Sequence, residues 1–208
     1  MREQYVRNNG NGDYIYYIDN YLTEEKKHDL IEGLKTIRWV YQVDAAYPME
    51  EHNPQDKIEA YNLNGYFSHE IFHAKYLEKS DVPFYILPLL DGLNHNYLAR
   101  IKCNLYVRTG EESAEHHWHL DYGQGYHPAM VWCADSADTG IEFHNPNGKS
   151  DYVHSKTNRA IFFNSAIFHR TKCPIKAKER VTININYIPG EPHPYYCLLY
   201  TSPSPRDS

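Results

Sequence analysis

From Ile101 to Tyr187 the chain breaks into short runs, each closed by a turn signal, and no other feature restricts its fold as strongly. Ile101–Arg108 and Arg180–Tyr187 alternate in polarity, while Ala129–Cys133 and Ala160–Phe163 are apolar. Gly140–His144 and Asp151–His154 flank Asn145-Pro-Asn-Gly148, a strong turn sequence. Such runs, rich in β-branched and aromatic residues, make half-buried or fully buried strands. About eight of them at this spacing predict a mainly β (α+β) fold with a double-stranded β-helix core, a jelly roll or cupin-like barrel.

The N-terminal half reads differently. Residues 1–13 are polar and read as a loose start, and Tyr14–Ile18 as a first strand. Thr23 is placed to cap a helix over Glu24–Arg38, with an apolar stripe of Leu30, Ile31, Leu34 and Ile37 and a weak point at Gly33. Trp39–Lys79 has no sustained period and carries turn signals at Asn53-Pro54 and Asn62–Gly65. It reads as strand fragments and loops forming a lid or substrate wall. A second helix is expected from about Pro83, with Leu87, Leu90, Leu93 and Tyr97 on one face. Both helices are expected to pack outside the barrel. No internal repeat or linker divides the chain.

Composition narrows the function classes. At 208 residues one domain with a substantial core suffices. A formal net charge of −6 disfavours an electrostatic nucleic-acid binder. Cys103, Cys133, Cys173 and Cys197 are far apart and form no CxxC pair, which argues against a disulfide framework or zinc knuckle and fits a reducing cytoplasm. No apolar run reaches membrane-spanning length, and no signal-peptide core is present at the start. Cys197–Asp207 looks like the in-frame translation of a transposon-end sequencing-library adapter. Residues 197–208 are therefore expected to be a non-native tail that displaces the true C-terminus.

Within the β-rich half, Glu115-His-His-Trp-His-Leu-Asp121 concentrates ligand chemistry. In extended backbone, His117, His119 and Asp121 point one way, and His116, Trp118 and Leu120 the other. An imidazole and a carboxylate two apart on one face supply two members of a 2-His-1-carboxylate triad, which leaves positions open on Fe(II). His169, just after the 160–163 run, is the candidate third ligand. Arg180 and Thr182 share a strand face with Asn184 and Asn186. If that face looks into a barrel, an arginine and a hydroxyl two apart make a carboxylate clamp.

His119-Leu-Asp121, His169 and Arg180-Val-Thr182, in that order and spacing, resemble the Fe(II)/2-oxoglutarate-dependent dioxygenases. The resemblance is to the prolyl-4-hydroxylase-like type found in phage and marine microbial genomes. Ile101–Thr109, Ser155–Phe163 and Pro174–Arg180 are similar to the strands and loop that lead to those motifs. It covers residues 101–187 well and the N-terminal half weakly. One departure is Thr139-Gly140, where many relatives carry Gly-Gly.

The resemblance implies one oxygenase domain over residues 1–196, with a flank of 1–100 and a jelly-roll core of 101–188. It implies a catalytic set of His119, Asp121 and His169 on Fe(II), with Arg180 on the C5 carboxylate of 2-oxoglutarate. Thr182 would assist, and Tyr106 or Asn104 would hydrogen-bond the same co-substrate. Dioxygen is consumed, succinate and CO2 are released and a substrate C–H is hydroxylated, with ascorbate as an optional reductant. The substrate is expected to be a peptide or small molecule, with no membrane partner, in the cytoplasm, or in a host cytoplasm for a viral chain. His117 is expected near the ligand face; His116, His127, His144 and His154 read as surface residues, and Trp118 as sheet packing. Three alternatives stay open: a cupin-like metal isomerase or lyase, favoured by an outward Arg180 and Thr182; a jelly-roll binding module with its ligands too far apart; and, more weakly, a zinc hydrolase lacking HExxH.

Overall fold

The structure, a computed structural model, describes residues 2–9, 13–42, 65–74, 83–108, 115–121 and 128–189. Most of the expected lid stretch, the loops at 109–113 and 122–127, His127 and the adapter-like tail lie outside the described residues. The strands are β1 (Gln4–Asn8), β2 (Tyr14–Ile18), β3 (Val40–Gln42), β4 (Tyr66–His73), β5 (Tyr97–Val107) and β6 (Pro128–Cys133). They continue with β7 (Gly140–Phe143), β8 (Asp151–His154), β9 (Arg159–Asn164), β10 (His169–Thr171) and β11 (Glu179–Ile188). The helices are α1 (Glu24–Leu34) and α2 (Leu87–Leu90), the latter entered through a 3₁₀ turn at Phe84–Ile86.

The strands form two antiparallel sheets. The larger runs β1-β2-β9-β6-β11-β5-β4-β3, the smaller β10-β7-β8. Glu115 bridges Lys172 and His119 bridges His169, so the histidine segment lies along the free edge of β10. The inner faces meet in an apolar cluster of Ile15, Ala129, Val131, Cys133, Ile161 and Phe163 from the large sheet with Ile141, Phe143 and Val153 from the small one. This is a jelly roll, as the turn spacing predicts. The outer face of the large sheet is covered too: Leu30, Leu34, Ile86 and Leu89 pack on Ile101, Trp132, Phe162, Ile183 and Ile185. Burial on both faces explains why β6 and β9 are continuous apolar runs.

Asn158 fastens the flank to the barrel. It has positive φ, which asparagine tolerates. Its buried amide accepts from the Leu22 N–H at 2.9 Å and donates to the Leu22 carbonyl at 2.8 Å, while also accepting from Trp132 Nε1 at 3.2 Å.

Three sequence expectations are corrected. Residues 4–8 form β1, pairing with β2 through a register shift at Tyr5/Arg7. Arg7 is buried and ion-pairs with Asp13 at 3.1 Å and Asp151 at 3.3 Å; the Asp151 partner is distant in sequence and so invisible to local reading. The first helix stops at Leu34, four residues early, in a tight last turn where Thr36 Oγ1 donates to the Gly33 carbonyl at 2.7 Å. Its Thr23 cap forms as expected, accepting from the Lys26 N–H at 3.4 Å. The second helix ends at Leu90, and Tyr97 begins β5 instead.

Gly140 shows why β7 begins where it does. A Cβ there would stand 2.0 Å from the Val153 carbonyl oxygen, on backbone that cannot swing aside. Thr139 is accommodated just before Gly140, whereas Gly140 itself admits no side chain. Gly140→Ala is expected to cost about 3 kcal/mol, the upper range for overpacking, read as a lowered urea midpoint at constant slope. A change below about 0.5 kcal/mol, the scale of a neutral surface substitution, would contradict this contact. Among the described residues no helix is long and apolar enough to cross a membrane.

Candidate metal centre

The interior of the large sheet divides into two halves. β9, β6 and β2 present the apolar cluster, while β5 and β11 present polar residues. Register pairs Arg180 with Tyr106, Thr182 with Asn104, Asn184 with Lys102, and Asn186 with Arg100. Directly opposite residues share a sheet face, so these eight side chains form one polar wall. Arg180, Thr182, Asn104 and Asn186 are buried, which places the polar face of β11 inside rather than on solvent.

The histidine segment delivers its ligands to the edge of this wall. His119 and His169 exchange both backbone hydrogen bonds, each 3.0 Å, and their rings lie 4.5 Å apart. Each Nδ1 sits 3.0 Å from a backbone carbonyl two residues earlier, His117 for one and Ile167 for the other. Donation there from Nδ1–H fixes the tautomer and leaves both Nε2 lone pairs free for a metal. Asp121 Oδ1 is 3.9 Å from Nε2 of His119 and 3.6 Å from Nε2 of His169. Neighbouring ligands of an octahedral ion with bonds of about 2.1 Å lie about 3 Å apart, so small side-chain adjustments close the set on one ion. Among the described residues His119, Asp121 and His169 are the group of this kind, with ligand atoms all within 4.8 Å of one another.

The electrostatics favour a cation. Burial pushes the His119 imidazole down to about 4, helped by the neighbouring His169, so the ring is neutral and able to ligate at pH 7. Burial opposes the Asp121 charge, but the neighbouring His169 and Arg100 outweigh it and hold the carboxyl below its usual range. Asp121 is also tethered from the wall: Asn186 Nδ2 donates to Oδ2 at 3.3 Å, and Arg100 Nη2 donates to its carbonyl at 3.4 Å.

Arg180 is fully buried. Its Nη1 donates to Ser155 Oγ at 3.3 Å and its guanidinium lies 4.4 Å over the Tyr106 ring. Nε and Nη2 have no hydrogen-bond partner among the described residues. A buried guanidinium with two idle donors is costly unless an anion completes it, and a carboxylate matches that fork. Tyr106 thus turns its ring face to Arg180, and Asn104 lies beside Thr182, whose hydroxyl donates to Asn184 Oδ1 at 3.3 Å.

His117 contributes its carbonyl to His119, and Trp118 packs under Arg170 with 4.6 Å to its ring. His144 and His154 are exposed, as expected. His116 is a correction: it is 1% exposed, with its ring against Tyr66 and Tyr106 and its Nε2 3.6 Å from Cys173 Sγ. Strand parity sends it away from the ligands but into a packed layer, not to solvent. Sequence reading also missed Arg100 and Ser155 as partners of the site. Arg100 was legible in principle, two residues before Lys102 on an alternating strand; Ser155 carries no local signal.

Asp135 lies near Arg180 and accepts the Val181 N–H at 3.0 Å. Burial raises its carboxyl to about 6 from 3.8. Between those values the folded protein holds a proton that the unfolded chain has released, so stability falls as pH rises through about 4 to 6. The loss is expected to be about 2 kcal/mol. Asp135→Asn is expected to flatten that slope in urea titrations from pH 4 to 8; an unaltered slope would refute the assignment.

No protein-family model matches the sequence, and no curated protein matches it significantly. The fold does match solved structures. A 2OG-Fe(II) oxygenase-family oxidoreductase from Burkholderia pseudomallei superposes with TM-score 0.56 at 12% identity, covering 85% of both chains. The fold is that of the 2-oxoglutarate/Fe(II) oxygenases. A Trichoplax adhaerens prolyl hydroxylase in complex with a hypoxia-inducible-factor peptide fragment matches with TM-score 0.57 at 13% identity, over 86% of this chain and 84% of that one. The epimerase SnoN, in complex with Fe3+, alpha-ketoglutarate and nogalamycin RO, gives 0.54 at 9% identity over 95% and 88%.

Proposed function

We propose that the protein is an Fe(II)- and 2-oxoglutarate-dependent dioxygenase that hydroxylates a C–H bond of a peptidyl or small-molecule substrate, with release of succinate and CO2. The observation that carries the reading is the pairing of a His-Asp-His set, its ligand atoms within 4.8 Å, with a fully buried Arg180 that has idle donors at the same polar wall. The fit to the cofactors rests on donor chemistry. Two neutral imidazoles and one carboxylate suit Fe(II) and leave a face open, while the arginine fork suits the far carboxylate of 2-oxoglutarate. Bound iron with 2-oxoglutarate and dioxygen supplies the oxidative decarboxylation and C–H oxidation.

The chain's own residues do the rest. His119, Asp121 and His169 hold the ion, with both histidine tautomers set by backbone carbonyls. Asn186 and Arg100 orient Asp121. Arg180, braced by Ser155 and Tyr106, orients the co-substrate, with Thr182 and Asn104 beside it. The apolar half of the barrel keeps water from the buried charges. Prolyl hydroxylases stand among the fold neighbours, which supports a hydroxylase of that type; ascorbate would serve as an auxiliary reductant. The buried Arg180 and Thr182 support the oxygenase arrangement over the cupin-like isomerase, which outward-facing side chains would favour.

The test is succinate formation from 2-oxoglutarate under air with Fe(II) and no added substrate. Slow, iron-dependent, chelator-sensitive succinate release is expected. No turnover together with no 2-oxoglutarate-dependent visible absorbance in the anaerobic Fe(II) protein would remove this reading.

A further inference from the structure

Two cations on the polar wall are not used up by the roles assigned above: Arg100 orients Asp121 through one nitrogen, and Lys102 has no assigned role. Arg100 and Lys102 lie two apart on the interior face of β5, opposite Asn186 and Asn184. Arg100 reaches Asp121 with one nitrogen only, and its Nε is buried without a hydrogen-bond partner among the described residues. Lys102 gives one hydrogen bond, 2.7 Å, to the neutral Tyr66 hydroxyl, and stands 5.1 Å over that ring. The charged groups that act on it are Arg100, Asp121 and Glu70, the last paired across β4. With Asp121 taken by a divalent ion, Glu70 would be the carboxylate left acting on Lys102 among the described residues.

We propose that Arg100 and Lys102 together anchor a carboxylate of the primary substrate, so that the oxidised C–H belongs to a carboxylate-bearing molecule. This rests on the oxygenase reading. The charge balance selects the group: two cations facing one remaining carboxylate leave room for a monoanion, which a carboxylate fills and a phosphate dianion overfills. The donors fit as well: Arg100 Nε is without a hydrogen-bond partner among the described residues, Lys102 has ammonium hydrogens beyond the one given to Tyr66, and the two residues share one sheet face. The partial desolvation that pushes Lys102 down to about 8 means an incoming anion also restores a poorly solvated charge. With 2-oxoglutarate held by the ion and by Arg180, as proposed above, its carboxylates would not require this pair.

The test is anaerobic calorimetry on the whole protein loaded with Fe(II) and 2-oxoglutarate. The probes are matched acid and amide pairs: hexanoate with hexanamide, and N-acetyl-L-proline with N-acetyl-L-prolinamide. The acid of at least one pair is expected to bind about tenfold more tightly than its amide, the value of one charge-assisted contact. Lys102→Met should bring that ratio near one and Lys102→Arg should retain it, with 2-oxoglutarate affinity changed less than about threefold in both, which also controls for folding. Equal binding of acid and amide by the wild type overturns the proposal, as does a ratio that survives Lys102→Met. A tenfold loss of 2-oxoglutarate affinity in Lys102→Met overturns it differently, by moving Lys102 to the co-substrate. If the Fe(II)-loaded wild type binds no 2-oxoglutarate at all, the oxygenase reading fails and takes this one with it.

Discussion

Arg180→Met is expected to lower kcat/KM for 2-oxoglutarate about 10²–10³-fold while making the ligand-free protein more stable. Both effects come from one fact. The guanidinium is fully buried, with Ser155 as its hydrogen-bonding side chain and two donors idle. In the loaded state, removing one member of a buried, hydrogen-bonded ion pair costs about 3–5 kcal/mol, hence the loss in affinity. In the ligand-free state the same charge is buried at a cost, and an apolar side chain of similar length removes it, for a gain of about 1–4 kcal/mol. The measurements are steady-state kinetics against 2-oxoglutarate and urea midpoints with and without the co-substrate. Wild type should be stabilised by 2-oxoglutarate and the variant should not. A variant that loses stability in the ligand-free state and keeps its co-substrate affinity would show that Arg180 is a structural residue.

His169→Ala is expected to lower Fe(II) affinity at least 100-fold and to abolish iron-dependent succinate formation. Loss of an outer partner of a ligand already costs 10–100-fold, and His169 belongs to the proposed ligand set itself. It also pairs with His119 through two 3.0 Å backbone bonds, which alanine keeps. The backbone bridge should therefore survive, and circular dichroism should be unchanged. Equilibrium competition with a chromophoric chelator measures the loss. Wild-type affinity in His169→Ala would move the ion elsewhere and refute the His119–Asp121–His169 assignment.

The strands of the core were legible because burial is periodic. β5 and β11 alternate and β6 and β9 do not; the first pair lines a polar wall, and the second is buried on both faces. Thr23 was legible as a cap because capping is local. β1 was not, since it depends on Arg7 finding Asp151, far along the chain. The second helix is shorter than its apolar spacing suggests because Leu93 lies in the core beyond the helix and Tyr97 opens a strand, and spacing alone does not say which element carries a residue.

For the site, the sequence alone determined the residue types and their local parity. His119 and Asp121 face one way and His116 the other, because successive side chains of extended backbone alternate. It also determined that Arg180, Thr182, Asn184 and Asn186 share a face. Tertiary structure decided which way each face looks. The burial of β11 between β5 and β6 turned its polar face inward. The pairing of residues 115–119 with β10 brought His169 beside His119 across fifty residues of chain. The same sheet order set Arg100 against Asp121 and buried His116 against Tyr66 and Tyr106. Parity is a property of neighbouring peptide units, and so is written locally; direction and convergence depend on which strands pair, and that is settled only by packing the whole barrel.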